Sequence, residues 1–320
     1  LNSRSTTTAV SPLLLRTGLL IDGMWEETDA ELEVRDKFTG ELIARLSTAG
    51  AAEVERAVGA AAAAMRREEI EPANRAAILR KTAEILARRR REVVRTMVAE
   101  TGFTTSECVG DFERTLQTLE ISAEEAKRIV GEIIPLDGAA GQSGRLGYTL
   151  RVPVGVVAAI TPFNSPLNTV AHKVAPALAA GNAVVLKPAE QAPLCAVHLC
   201  EALVEAGLPR GWINLLHGDG RTGALLVEDP RVAYYTFTGS TEVGRLIQKG
   251  AGLRRTQLEL GNISATIVCA DATLGVAIPR CVATAFRKAG QVCTSLQRLY
   301  VERSLFPTFL EKFKTAAAKL

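Results

Sequence analysis

The sequence predicts an α/β fold: a doubly wound parallel sheet, followed by a smaller α/β unit. Two observations predict it. From residue 154 to 260, short runs rich in Val, Ile, Leu and Ala alternate with helical stretches. Repeated β–α units with apolar strands form parallel sheets covered on both faces. The composition agrees, since 320 residues with 47% hydrophobic and 23% charged side chains are enough for two domains and a large core.

In chain order, residues 1–16 are rich in Ser and Thr and read as a tail. Leu13-Leu14-Leu15 is too short for the apolar segment of a signal peptide. Ile21-Asp22-Gly23-Met24 predicts a strand and turn, with a second hairpin around Thr39-Gly40. Three helices follow. The first, 51–69, is Ala-rich. The second starts after Pro72 with Asn74 as N-cap and ends near Gly102. Its Leu79, Leu86 and Val93 recur every seven residues and mark one buried stripe. The third carries Val109, Phe112, Leu116, Leu119, Ala123 and Ala126 at core-facing spacing. The basic run Arg88 to Arg91 reads as a solvated helix face. From 131 to 147, five glycines, Pro135 and Asp137-Gly138 predict a loop or β-arm, either a surface hairpin or a contact with a partner subunit.

The alternation then begins. Strands are expected at 154–160, 183–187, 212–217, 234–238 and 256–260, with helices at 166–180, 191–206, 222–228 and 240–250. Beyond them come strand 265–269, helix 273–288, strand 299–302 and helix 305–319. Ligands of such sheets sit at the carboxyl ends of the strands. That rule selects 161–164, 187–190, 218–223, 238–240 and 259–261.

Composition excludes several classes of function. Lys plus Arg is 38 against 35 for Asp plus Glu, so the charge gives no reason to expect nucleic acid. No apolar run is long enough to span a membrane. The cysteines at 108, 195, 200, 269, 281 and 293 form no Cys-x-x-Cys pair and do not cluster with the histidines at 172, 198 and 217. No metal site is therefore expected. A disulfide framework is not expected either, which suggests a reducing, cytoplasmic setting.

Candidate chemistry concentrates in Glu259-Leu260-Gly261-Asn262 and Gly290-Gln291-Val292-Cys293-Thr294. A thiol attacks carbon as the thiolate, and a carboxylate can take a proton from water. The pair suggests a sulfur nucleophile followed by hydrolysis. Gly218-Asp219-Gly220-Arg221-Thr222-Gly223 matches the dinucleotide fingerprint G-x-G-x-x-G. It follows the third strand rather than the first, so it reads as a flexible turn. Gly239-Ser240, at a helix start, is a rival phosphate site. Lys187 and Glu190, just past a strand, have the chemistry to hold ribose hydroxyls, although solvated charges at a strand end account for them as well.

Five motifs occur in order: Ile160-Thr161-Pro162-Phe163-Asn164, Lys187-Pro188-Ala189-Glu190, Phe237-Thr238-Gly239-Ser240-Thr241-Glu242-Val243-Gly244, Glu259-Leu260-Gly261 and Gly290-Gln291-Val292-Cys293. With them the sequence resembles the NAD(P)-dependent aldehyde dehydrogenase superfamily over residues 20 to 320. The resemblance implies a Rossmann-like cofactor domain over 17–130 and 148–258, an oligomerisation arm at 131–147, and the first part of a catalytic domain at 259–320. It implies that Cys293 is the nucleophile, Glu259 the general base and Asn164 the side-chain half of the oxyanion hole. Lys187 and Glu190 would hold the adenosine ribose and Ser240 the pyrophosphate. Ile160, Thr161, Pro162, Phe163, Gly220, Phe237, Gly239, Val243, Leu260 and Gly261 would complete the cofactor site. The implied cofactor is NAD rather than NADP, the substrate a small aldehyde, and the assembly a homodimer or homotetramer.

The chain is also similar to the branch that includes lactaldehyde dehydrogenases, through Asn164-Ser165-Pro166-Leu167-Asn168 and Ala289-Gly290-Gln291-Val292-Cys293. Ser165 and Asn168 would place small polar groups near the substrate. Arg114 would face an anionic substrate if it were not simply a surface arginine. Asn262-Ile263 and Arg287-Lys288-Ala289 depart from the common pattern, which leaves the subclass open. Family members normally continue past 320, so the catalytic part is expected to be truncated and this chain inactive by itself. Two rival readings are a non-catalytic cofactor-binding module and a CoA-acylating dehydrogenase. Glu259 argues against the second.

Overall fold

The computed structural model describes residues 16–67 and 69–320. Nearly all of the expected tail lies outside the described residues. The fold is the expected α/β class. β1 (Leu19–Ile21) and β2 (Met24–Glu26) form one antiparallel hairpin, and β3 (Glu31–Arg35) and β4 (Leu42–Ser47) a second. Gly23 and Gly40 both take φ +75° in the turns, a conformation glycine adopts without steric cost.

α1 (Ala51–Arg67) is followed by α2 (Pro72–Arg88) and α3 (Arg90–Thr101), where the sequence predicts a single helix. The break falls at Arg89 (φ −91°, ψ 10°). There the basic run is largely solvent-exposed, as expected, and also pairs with acids on other helices. Arg88 and Arg89 pair with Glu205, Arg89 with Glu201 at 3.7 Å, and Arg90 with Glu113 at 3.0 Å. The N-cap of α2 is Glu71, not Asn74, because Pro72 already supplies a helical φ at the first position. The stripe of Leu79, Leu86 and Val93 is buried as predicted, though it crosses the break. α4 (Thr105–Ala126) opens with a capping box between Thr104 and Glu107. The arm consists of β5 (Ile133–Ile134) paired with β6 (Gly147–Tyr148), and it exposes Ile133, Leu146, Tyr148, Leu150 and Val152.

The alternating region follows the expected order: β7 (Val156–Ile160), α5 (Asn168–Ala179), β8 (Val184–Lys187), α6 (Leu194–Glu205), β9 (Ile213–Leu215), α7 (Gly220–Glu228), β10 (Val232–Thr238), α8 (Thr241–Ala251) and β11 (Arg255–Glu259). The sheet order is β11-β10-β7-β8-β9-β1-β2. The first five strands are parallel, and the β1–β2 hairpin adds two antiparallel strands at one edge. β7, β8 and β9 are buried throughout, which explains their unbroken apolar runs.

β12 (Ala265–Val268), α9 (Leu274–Phe286), β13 (Arg298–Val301) and α10 (Phe306–Ala317) form a smaller unit. Its two strands are parallel, and its core is Val268, Ile278, Cys281, Val282 and Phe309. The helix predicted over 273–288 ends at Phe286. Lys288 (φ 51°) and Ala289 (φ 54°) then take left-handed conformations, where Lys288 bonds Glu107, Asp111 and the Asn164 carbonyl.

Candidate active site

The parallel register brings the polar strand ends together. Ile160 of β7 lies between Phe237 of β10 and Lys187 of β8, and Thr238 pairs with Glu259 of β11. The Gly239 N–H donates to the Glu259 carbonyl at 3.0 Å. Residues from four separate motifs thus share one edge of the sheet.

A cleft of about 670 Å³ opens along that edge. It is lined by Ile160, Thr161, Pro162, Phe163, Lys187, Glu190, Gly220, Phe237, Gly239, Ser240 and Val243, all selected from the sequence. Leu260 and Gly261 are not among its lining residues. Leu260 packs under α8, where a Cβ on Gly244 would stand 2.6 Å from its Cδ2, and Gly261 is exposed. Gly218–Gly223 is not a flexible turn. Gly218 leads into α7, which Asp219 caps by accepting from the Arg221 N–H at 2.8 Å. Gly220 and Gly223 both face the cleft. Ser240 caps α8 by accepting from the Val243 N–H at 3.2 Å.

Lys187 is buried, with its Nζ 3.5 Å from Glu190 Oε2 and donating to the Pro188 carbonyl at 3.2 Å. Burial lowers its pKa, and the Glu190 charge opposes that shift. Solvated charges at a strand end therefore do not describe Lys187. The Thr161 hydroxyl is buried beside the cleft with no hydrogen-bond partner among the described residues. A buried hydroxyl without a partner is costly unless a ligand or water completes it. The lining therefore fits a polar ligand such as a dinucleotide.

Phe163, in the cleft wall, is followed by Asn164. The Asn164 amide Nδ2 donates to the Gln291 carbonyl at 2.6 Å, which ties the loop after β7 to the turn before Cys293. Cys293 is only partly buried, unlike Cys108, Cys195, Cys200 and Cys281. Burial raises its thiol pKa first, and a hydrogen bond and the charge of Glu259 raise it further. The backbone N–H groups of Thr294 and Cys293 pull the other way. All six cysteines are free thiols. The buried Lys173 ammonium, whose Nζ donates to Gln257 Oε1 at 2.8 Å, also feels Glu259. Burial pushes its pKa down to about 8.

Sequence reasoning missed the support beneath Asn164. Asp111 is fully buried on α4 and accepts from Lys288 Nζ at 3.2 Å, from Arg114 Nη2 at 2.9 Å and from the Ser165 hydroxyl. Lys288 Nζ also donates to the Asn164 carbonyl at 2.6 Å and lies 5.4 Å from the centre of the Phe103 ring. Its backbone N–H donates to Glu107 at 2.6 Å, so a member of the α4 capping box also holds the turn before Cys293. The one signal available was a lysine at the motif position where the family usually carries another residue. Asn168 is buried and accepts from the Thr118 hydroxyl at 3.0 Å.

Comparison with known proteins agrees with the motif-based resemblance. The family model described as "Aldehyde dehydrogenase family" matches residues 25–320, and the chain belongs to that family. It is 47% identical over 304 residues to 3-sulfolactaldehyde dehydrogenase of Priestia aryabhattai, covering 95% of this chain and 64% of that protein. The crystal structure of succinate-semialdehyde dehydrogenase from Burkholderia pseudomallei superposes with TM-score 0.91 at 35% identity, over 97% of this chain and 64% of that one. The NADP-dependent glyceraldehyde-3-phosphate dehydrogenase of Bacillus halodurans, complexed with NADP, superposes with TM-score 0.92 at 33% identity, over 95% and 65% of the two chains. The chain thus spans about 64% of the length of the relatives it matches.

Proposed function

We propose that the protein oxidises a small polar aldehyde to the carboxylic acid through a thioester on Cys293, with NAD preferred over NADP. The observation that carries this is the pair of links around Cys293: the Asn164 amide bonds the Gln291 carbonyl two residues before it, and Glu259 acts on its thiol. The names of the similar proteins support it, since each describes an aldehyde substrate that also bears an acidic group.

The Cys293 thiolate attacks the aldehyde carbon. An amide nitrogen carries two N–H donors. One of those on Asn164 is held by the Gln291 carbonyl, which aims the other at the oxygen that gains charge. A donor of this kind is worth ~3–4 kcal/mol in the transition state. A nicotinamide bound in the cleft supplies the hydride acceptor. Glu259 then takes a proton from water, and the water oxygen displaces Cys293 from the acyl carbon. Lys187 and Glu190, which line the cleft, hold the ribose in this reading, and the start of α8 holds the pyrophosphate. The apolar arm is assigned to contact between subunits of a dimer or tetramer.

The test is pre-steady-state kinetics on the longest chain the gene encodes. Cys293→Ala abolishes NADH formation but leaves dinucleotide binding. Glu259→Gln gives a burst of NADH followed by slow turnover. Full steady-state speed in Glu259→Gln refutes the assigned role, as does a folded Cys281→Ala that is equally inactive.

A further inference from the structure

A second cleft, of about 860 Å³, shares no lining residue with the cofactor cleft. It is lined from α3 and α4, which pack against each other. Arg91, Val94, Arg95 and Val98 come from α3, at the spacing that puts side chains on one helical face. Thr105 and Val109 come from α4, again four residues apart. Val94 is buried and Val98 and Val109 are partly buried, so the floor is apolar. The arginines on the same face are exposed.

The break at Arg89 sorts the basic run. Arg89 turns to Glu201 and Glu205 on α6, while Arg88, Arg90 and Arg91 line the cleft together with Arg95. The one acid in the lining is Asp36, in the β3–β4 turn. Its carboxylate is engaged in that turn, where it accepts from the N–H groups of Phe38 and Thr39. Arg90 meets Glu113 at 3.0 Å, and Arg88 reaches Glu205 only at 3.7 Å. Arg91 has neither a hydrogen bond nor an ion pair among the described residues. Four guanidiniums thus stand over an apolar floor with one acid among them. A concave surface lined by one sign of charge concentrates ions of the other.

We propose that this cleft binds a small polyphosphate with a flat apolar body, of the nucleoside di- or triphosphate class. A guanidinium takes phosphate oxygens two at a time. Arg91 and Arg95 stand about 6 Å apart along the helix axis. A chain of two or three phosphates spans that distance, and a single phosphate does not. The valines give the faces of a base an apolar surface, as ligand pockets commonly do beside a few polar groups. Thr105, exposed on α4, brings a hydroxyl to the same lining. The proposal is independent of the aldehyde-oxidising reading, because neither Cys293 nor Glu259 lines this cleft.

The test is calorimetric titration of the longest chain the gene encodes with GTP, inorganic tripolyphosphate and guanosine, each in the presence of excess NADH to fill the cofactor cleft. GTP should bind more tightly than tripolyphosphate, guanosine should not bind, and the GTP affinity should fall as salt is raised. Arg91→Gln, which breaks no bond of the folded chain, should weaken GTP by about 10- to 100-fold, the range of a charge-assisted pair, and leave the melting temperature unchanged. Arg91→Lys should recover part of the loss. Arg91→Gln with Arg95→Gln should weaken GTP further. GTP affinity unchanged in Arg91→Gln overturns the proposal, and so does equal affinity for GTP and tripolyphosphate. Binding to phosphatidylglycerol vesicles without any binding of GTP overturns it as well, and assigns the arginines to a membrane surface instead.

Discussion

The Lys288 ammonium donates to the backbone carbonyl of Asn164 at 2.6 Å. A buried cation from the turn before Cys293 thereby holds the loop that carries Asn164. The same ammonium reaches Asp111 on α4, and its backbone N–H reaches Glu107. Three elements distant in sequence are locked at one residue. The left-handed φ at Lys288 and Ala289 is the local cost of that lock.

Lys288→Met should therefore slow hydride transfer more than it weakens substrate binding. Losing a charge-assisted bond of ~1.5–3 kcal/mol corresponds to about 10- to 100-fold in rate. It should also destabilise the fold, because Asp111 loses its buried partner. Adding Asp111→Asn should recover stability without recovering the NADH burst rate. A normal burst rate combined with a lowered melting temperature would reduce Lys288 to a purely structural role.

The pKa of the Cys293 thiol is raised by burial and then by Glu259, so the thiolate fraction is small near neutrality and grows as pH rises. Alkylation by iodoacetamide, followed by peptide mass spectrometry, should show a midpoint above the ordinary thiol range. Glu259→Gln removes the anionic contribution and leaves burial, so its midpoint should move to lower pH and its rate near neutrality should rise. An unchanged profile would mean that Glu259 does not face the thiol in solution.

Glu190 lines the cofactor cleft beside Lys187. A 2′-phosphate there meets a like charge, a repulsion of roughly 1–4 kcal/mol at ~4 Å, depending on the effective dielectric. NAD should be preferred, and Glu190→Ser should raise kcat/KM for NADP relative to NAD. Equal kcat/KM for the two cofactors in wild type refutes this. Lys187, only 3.5 Å from Glu190, acts to soften the discrimination.

Glu100 is fully buried and accepts from the backbone N–H groups of Leu194 and Cys195 at 2.7 and 3.0 Å, at the start of α6. Burial pushes its pKa up to about 7, against the pull of those bonds. An acid whose folded pKa lies above its unfolded one binds more protons when folded. Its contribution is complete below about 4.5 and is lost as pH rises to about 7. The loss is on the order of 3 kcal/mol. Denaturant titrations across that window should slope downward in wild type and flatten in Glu100→Gln. An equal slope in both would place the dependence elsewhere.

Much of the fold was legible because the apolar patterns are local. The five parallel strands, the helices between them and both hairpins sit where period, turn glycines and β–α alternation place them. Asn164, Lys187, Glu190, Glu259 and Cys293 were legible because each stands in a short motif at a strand end or beside a glycine. The breaks at Arg89 and Lys288 were not legible, since each depends on acids far away in the sequence: Glu201 and Glu205 for one, Glu107 and Asp111 for the other.

By itself the sequence determined the α/β class, the strand order along the chain, the family motifs and the candidate site residues. These follow from side-chain pattern and backbone preference within a few residues. Only the tertiary structure decided that Leu260 packs under α8 away from the cleft and that Gly220 belongs to a helix facing it. It also decided that Lys288, in the turn before Cys293, holds the Asn164 carbonyl. Each of these depends on which buried charge finds which partner. The partners are brought together by the parallel register and by helix packing, across separations that no local pattern records.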